Sequence, residues 1–131
     1  MTSYHLLLYR LADLILEKQK NLLTVDDLFN DEIIGDLVKS IQIDSPYQQL
    51  LLEGVLTESL KDENLYVGFT VEGYFHYVLG EVIFSYAEGK NADFLITLIR
   101  NNHLNGIKEG VEQCLVRDVN RGQLDRLIAL I

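Results

Sequence analysis

The chain has 131 residues, 48% of them hydrophobic, and carries a net charge of −9. That content suffices for a packed core and excludes a disordered chain, and the length fits one domain or a domain and the start of a second. A single cysteine, Cys114, excludes an internal disulfide framework and fits a reducing, cytoplasmic setting.

The opening, MTSYHLLLYRLADLILEK, has no basic start, and Arg10, Asp13 and Glu17 interrupt its apolar run, so it does not read as a signal peptide. No uncharged run reaches the ~18 residues of a membrane span. Residues 4–20 are expected as a first helix instead. Leu7, Leu8, Leu11, Leu14 and Ile15 recur at helical steps, with Ser3 as the cap and Asn21 as the stop. Thr24 opens a short second helix, with Asp27 three residues on in the manner of a capping box. Residues 31–41 are expected as a third, with Ile33, Ile34, Leu37, Val38 and Ile41 on one face and Gly35 marking a close approach. Ser45, Pro46 and Gln48 form a start signal for a fourth helix that runs to about Leu60. Lys61 to Asn64 reads as a turn. Leu65 to Phe69 reads as a short extended segment that needs a pairing partner, such as the residues around Thr57–Leu60.

The stretch from Tyr66 to Tyr86 holds seven of the twelve aromatic residues. Within it Thr70 is expected to cap a central helix, and Phe69 and Tyr74 to form a hydrophobic staple. Val71, Phe75, Val78, Leu79, Val82, Ile83 and Tyr86 cover one broad face, and Tyr74, Tyr77 and Phe84 extend apolar character to other sides. A helix of this kind is expected to be buried on most sides. Gly73 and Gly80 are expected to line a groove where neighbouring backbone comes close. Gly89 ends the helix and Asn91 caps the next, residues 92–101, with Phe94, Leu95, Leu98 and Ile99 inward and Asn101–His103 closing it. Residues 104–119 form another, with Leu104, Ile107, Val111, Leu115 and Val119 inward and Gly106 and Gly110 at small-residue spacing. A last helix, QLDRLIALI, has neither cap nor polar tail. It reads as a cut within a longer protein, with a core or oligomer surface as the alternative.

Charge is unevenly spread. Residues 44–89 carry eight acids and only Lys61, whereas residues 90–131 carry five acids and six bases. The middle third repels phosphate, so nucleic acid is not expected as a partner. There is no phosphate-cradling P-loop, no GxGxxG, no HExxH and no CxxC, so neither an enzyme nor a cofactor is expected. Glu72 and His76 stand four apart on one helix and are read as a structural pair, because a zinc site needs three or four ligands. Cys114 is read as a semi-buried structural thiol. Arg117, Arg121 and Arg126 make a modest basic patch of the salt-bridged kind.

The helices TVDDL and IIGDLVKSI, then YQQLLLEGVLTESL and the extended LYVGF, resemble a winged helix with a small β wing. FTVEGYFHYVLGEVI, through Phe69, Thr70, Tyr74, Phe75, Tyr77, Val78 and Gly80, resembles the signature that opens the helical sensor region of STAND-type signalling ATPases, the NACHT and NLR-like proteins. The resemblance covers nearly the whole chain and leaves out the nucleotide-binding half. It implies a mainly α protein: a winged-helix-like half over residues 1–69, then helical-repeat-like antiparallel helices over residues 70–131. It also implies a non-catalytic regulatory module whose partners are proteins, either other domains of a larger chain or a second copy. Tyr66, Phe69, Tyr77 and Phe84 are the expected interaction residues. A winged-helix nucleic-acid binder and a small enzyme using Glu72 and His76 are the alternatives. For the first of these, the third and fourth helices offer only Lys39 and Lys61.

Overall fold

The computed structural model describes residues 2–20, 22–101, 104 and 106–129. The protein is mostly helical with one small three-stranded antiparallel sheet. The chain divides into two compact units, Met1–Glu72 and Gly73–Ile131. Among the described residues no helix is long and apolar enough to cross a membrane.

The first unit begins with α1, Ser3–Lys18, whose Leu7, Leu11 and Ile15 are fully buried. Its cap is Thr2 rather than Ser3: the Thr2 hydroxyl accepts from His5 N at 3.2 Å. The helix ends at Gln19 in a left-handed conformation, and Asn21 lies outside the described residues. A two-residue strand β1, Leu23–Thr24, leads into α2, Val25–Phe29. Here the capping box is complete, with the Thr24 hydroxyl accepting from Asp27 N at 3.1 Å and the Asp27 carboxylate accepting from Thr24 N at 3.2 Å.

The third helix is shorter than its apolar periodicity suggests. α3 spans Gly35–Lys39, and Ile41 is 90% exposed instead of facing the core. The Asp31 carboxylate accepts from Ile33 N and Ile34 N, both at 3.1 Å, which holds residues 31–34 as a turn. Ser40 then takes an extended conformation and ends the helix early. The close approach expected at Gly35 is present, since a Cβ there would lie 2.5 Å from the Phe29 carbonyl oxygen.

α4 runs only from Pro46 to Leu52, not to Leu60. Pro46 does open it, but the Ser45 hydroxyl donates to Ser40 O at 3.4 Å instead of capping the helix. Gly54, at φ +75°, stops it. Val55 N donates to Leu50 O at 3.0 Å and Gly54 N to Leu51 O at 3.1 Å, the two bonds of a Schellman motif. The freed residues become β2, Leu56–Lys61, which pairs antiparallel with β3, Asn64–Phe69. The expected pairing of Leu65–Phe69 with the Thr57–Leu60 region is therefore present. Asp62 and Glu63 link the strands with positive φ at both central positions, the geometry of a type I′ hairpin turn. β1 adds to the far side of β3, so the strand order is β1-β3-β2.

Tyr47 on α4 is buried, and its hydroxyl has no hydrogen-bond partner among the described residues. An unsatisfied buried hydroxyl is destabilising, and phenylalanine keeps the ring without it. Tyr47→Phe should therefore raise stability by about 1 kcal/mol in urea denaturation. A loss of stability would mean that the hydroxyl has a partner.

The second unit holds α5 (Glu72–Ala87) from its second residue on, α6 (Ala92–Arg100), α7 (Ile107–Asn120) and α8 (Asp125–Ala129). α5 starts two residues after Thr70, the expected cap. It buries Val78, Leu79, Gly80, Val82 and Ile83, while Val71, Tyr74 and Tyr86 are exposed, so the burial is one-sided rather than general. Gly89 at φ +75° follows its end, and the Asn91 side chain accepts from Phe94 N at 3.0 Å, both as expected. On α6 only Leu95 is buried, and Phe94 is exposed. The expected close of that helix at Asn102 and His103 lies outside the described residues. On α7, Ile107, Val111 and Cys114 are buried, but Val119 is exposed and Asp118 is buried in its place. No residue of α8 is buried, and Leu130 and Ile131 lie outside the described residues.

Candidate protein-interaction site

The expected interaction residues fall into two pairs, one in each unit. Tyr66 and Phe69 are both half-buried on β3. Side chains alternate across a strand, so these two point to opposite faces of the sheet and do not form one patch. Phe69 shares its face with Leu65 and Val67, opposite Leu56, Leu60 and Glu58 of β2. The inner part of that face is core, since Leu56 and Val67 are buried. Toward the turn the same face runs out past the core: Leu60 is 75% exposed and its cross-strand neighbour Leu65 39%. Sequence reading placed Leu60 inside a helix and so missed this leucine pair.

The hairpin is also acidic. Glu58, Asp62 and Glu63 lie on it, with Lys61 as its one base. α4, which leads into the hairpin, carries no Lys or Arg at all.

A second network ties the start of the first unit together. Arg10 donates to Asp31 at 2.8 Å, to Asp13 at 2.8 Å and to Glu17 at 3.3 Å. The Arg10 hydrogen bonds hold the Asp31 carboxyl below its ordinary value, against the opposing effect of burial. Spacing along the sequence does not show this pairing, because Arg10 and Asp31 lie on different elements.

Tyr77 and Phe84 stand two turns apart on α5, each under an arginine. The Arg117 guanidinium lies 5.1 Å from the Tyr77 ring centroid, and that of Arg126 lies 4.3 Å from the Phe84 centroid. Tyr74 stacks beside Tyr77 with centroids 6.4 Å apart. Arg126 is fully engaged. Its Nε and Nη2 donate to Asp118 at 2.7 and 2.9 Å, and its Nη1 and Nη2 donate to Glu81 at 3.1 and 3.0 Å. These bonds lower the Asp118 pKa and explain why a carboxylate is tolerated where the apolar pattern expected Val119. The basic patch read from the sequence is thus salt-bridged at Arg126.

Asp31 and Asp118 both ionise more readily folded than unfolded, their ordinary value being near 3.8. The stability from these pairs is complete above that value and is lost as pH falls below it toward the folded-state pKa. Urea midpoints should therefore fall between pH 4 and the most acid end of a titration, and Asp31→Asn should flatten that fall.

A cleft of about 350 Å3 opens beside this network, lined in part by Phe84, Ser85, Glu88, Lys90, Leu95 and Arg126. Its charges are mixed, and Arg126 is already bound by two carboxylates. Glu72 and His76 gain no further ligands: among the described residues no three His, Cys, Asp or Glu side chains gather at metal-binding distance. The His76 ring packs 5.9 Å from Phe75 and against Gly106. Cys114 is fully buried, more than the semi-buried setting expected. Burial pushes its thiol up to about 12, and it donates to Tyr77 O at 3.6 Å. A thiol so placed is not a nucleophile at neutral pH.

The two helices of this region cross at glycines. A Cβ on Gly80 would meet the Gly110 carbonyl, and one on Gly110 would meet the His76 carbonyl. The groove expected at Gly80 is therefore real and is filled by α7. Gly73, expected to share it, has open space around it.

No protein-family model matches the chain, and comparison with curated proteins and with solved structures finds no match either.

Proposed function

We propose that the chain is a non-catalytic regulatory module that acts by packing against protein, with a winged-helix-like first unit related to those of STAND signalling ATPases. The observation that carries this reading is the element order of the first unit: three helices around a short strand, a fourth helix, then a hairpin, with strands ordered β1-β3-β2. A helix leading into a hairpin, with the first strand on the far side of the last, supports the winged-helix-like reading. The helix before the wing would be the recognition helix of a DNA-binding relative. Here it reads PYQQLLL, without a single cation, and the hairpin beyond it is acidic. Phosphate contacts supply most of the affinity in nucleic-acid binding, so this surface favours protein over DNA. The second unit contributes helices α5–α8 as a further packing surface, with Tyr77 and Phe84 on its central helix.

Two measurements test the reading. In a titration with duplex DNA at low salt, binding should be weak and independent of sequence; tight, sequence-specific binding overturns it. The encoding locus should carry a P-loop domain in the same reading frame or beside it; its absence removes the STAND relationship.

A further inference from the structure

Among the described residues, the outer edge of β2 pairs with no other strand. With strand order β1-β3-β2, β2 is an edge strand six residues long. Its bonding phase follows from one contact. Thr70 N donates to Val55 O at 3.0 Å, so residues 55 and 70 form a hydrogen-bonded pair. Bonded and non-bonded pairs alternate along antiparallel strands, so Thr57, Ser59 and Lys61 bond toward β3. Leu56, Glu58 and Leu60 therefore turn their backbone N–H and C=O outward. Leu56 is buried, which leaves the outward groups of Glu58 and Leu60 flanked by exposed Thr57, Ser59 and Lys61. An open edge of this kind is a template for strand addition.

The side chains along the edge set the chemistry of what would pair there. Glu58 and Leu60 lie on one face, two residues apart, and Leu60 joins Leu65 in the leucine pair beyond the core. An incoming strand would set one residue opposite Glu58 and one opposite Leu60. We infer that β2 receives an extended segment of another protein that carries a basic residue opposite Glu58 and an apolar residue opposite Leu60, spaced two apart. The inference rests on the reading of the chain as a protein-binding module and names its docking edge. A second copy is the poorer occupant. An antiparallel pair of β2 strands centred on Glu58 sets two glutamates face to face, and each chain carries a net charge of −9.

The test uses isotopically labelled chain and a capped peptide, Thr-Lys-Thr-Leu-Thr-Lys-Thr, which offers the Lys-x-Leu spacing in both strand directions. Amide shifts should centre on residues 56–61. Replacing both peptide lysines by glutamate should weaken binding three- to tenfold, the scale of a reversed cross-strand charge pair. Glu58→Lys in the chain should invert that preference. N-methylation of both the peptide leucine and the threonine after it, whose N–H groups face β2 in the antiparallel and the parallel arrangement respectively, should abolish the shifts. Equal binding of both peptides, shifts centred elsewhere, indifference to N-methylation or no binding each overturns the inference. So does a dimer paired through β2, detected by light scattering and intermolecular contacts at these residues. These failures leave the protein-binding reading in place as long as DNA binding stays weak and independent of sequence, whereas tight, sequence-specific DNA binding sinks both.

Discussion

Gly110→Ala should destabilise the second unit by about 3 kcal/mol, at the upper end of what overpacking costs. Two effects of opposite sign compete at this position. Within a helix, alanine is favoured over glycine by about 1 kcal/mol, so on propensity alone the substitution would stabilise α7. The new methyl group, however, would lie on the His76 carbonyl, and the Gly80 amide nitrogen is 3.1 Å away. Both are backbone of α5, and neither can turn aside as a flexible side chain would. The helices must separate, which loosens the burial of Val78, Leu79, Val111 and Cys114 together. Gly80→Ala should behave the same way, since its Cβ would meet the Gly110 carbonyl and lie 2.9 Å from Cys114 Sγ. Gly73→Ala is the control. It has open space and should be neutral or stabilising by a few tenths of a kcal/mol. Thermal and urea unfolding of the three variants checks the contrast. If Gly110→Ala were as stable as the parent, the close crossing would be wrong.

Arg126→Met should cost about 2–3 kcal/mol, more than a surface ion pair is worth. The loss comes mainly from what is left behind. Asp118 is only 6% exposed, and without Arg126 its carboxylate is buried beside Glu81 and loses its hydrogen-bonded cation, keeping only the through-space pull of Arg117 and Arg121. Removing one member of a buried pair leaves a charge that burial penalises, whereas removing both charges need not. Arg126→Met combined with Asp118→Leu should therefore recover much of the loss. The methionine keeps apolar contact with the Phe84 ring, so the double variant separates charge from packing. A double-mutant cycle in urea, repeated at high salt, measures the coupling; additive losses would show that Arg126 acts only through its contact with Phe84.

How far the residues announce this architecture depends on the range of the forces involved. Where a start or stop is set by neighbours in sequence, the pattern is readable: the Thr24–Asp27 capping box, the Asn91 cap, Gly89 after α5 and the pairing of the Leu65–Phe69 strand are all present. The misreadings come from periodicity without punctuation. The apolar run at 50–60 looks helical until Gly54 is recognised as a Schellman glycine, after which the same leucines belong to a strand. Ile33 and Ile41 have the spacing of a core face, yet Asp31 is committed to a turn and to Arg10, an element away. Asp118 displaced Val119 from the interior because its partner, Arg126, approaches from another helix. Of the interaction residues, Tyr77 and Phe84 fall on one helix as their spacing required. Tyr66 and Phe69, three apart, are split between the two faces of β3.

Cys114 gives the glycine crossing a practical use. Its thiol is sealed between α5 and α7 and held protonated, so an alkylating reagent reaches it only when those helices part. Since no other cysteine exists in the chain, each modified molecule records one such opening and nothing else. The labelling rate at neutral pH is therefore a native clock for the second unit. It needs no engineered probe and no denaturant.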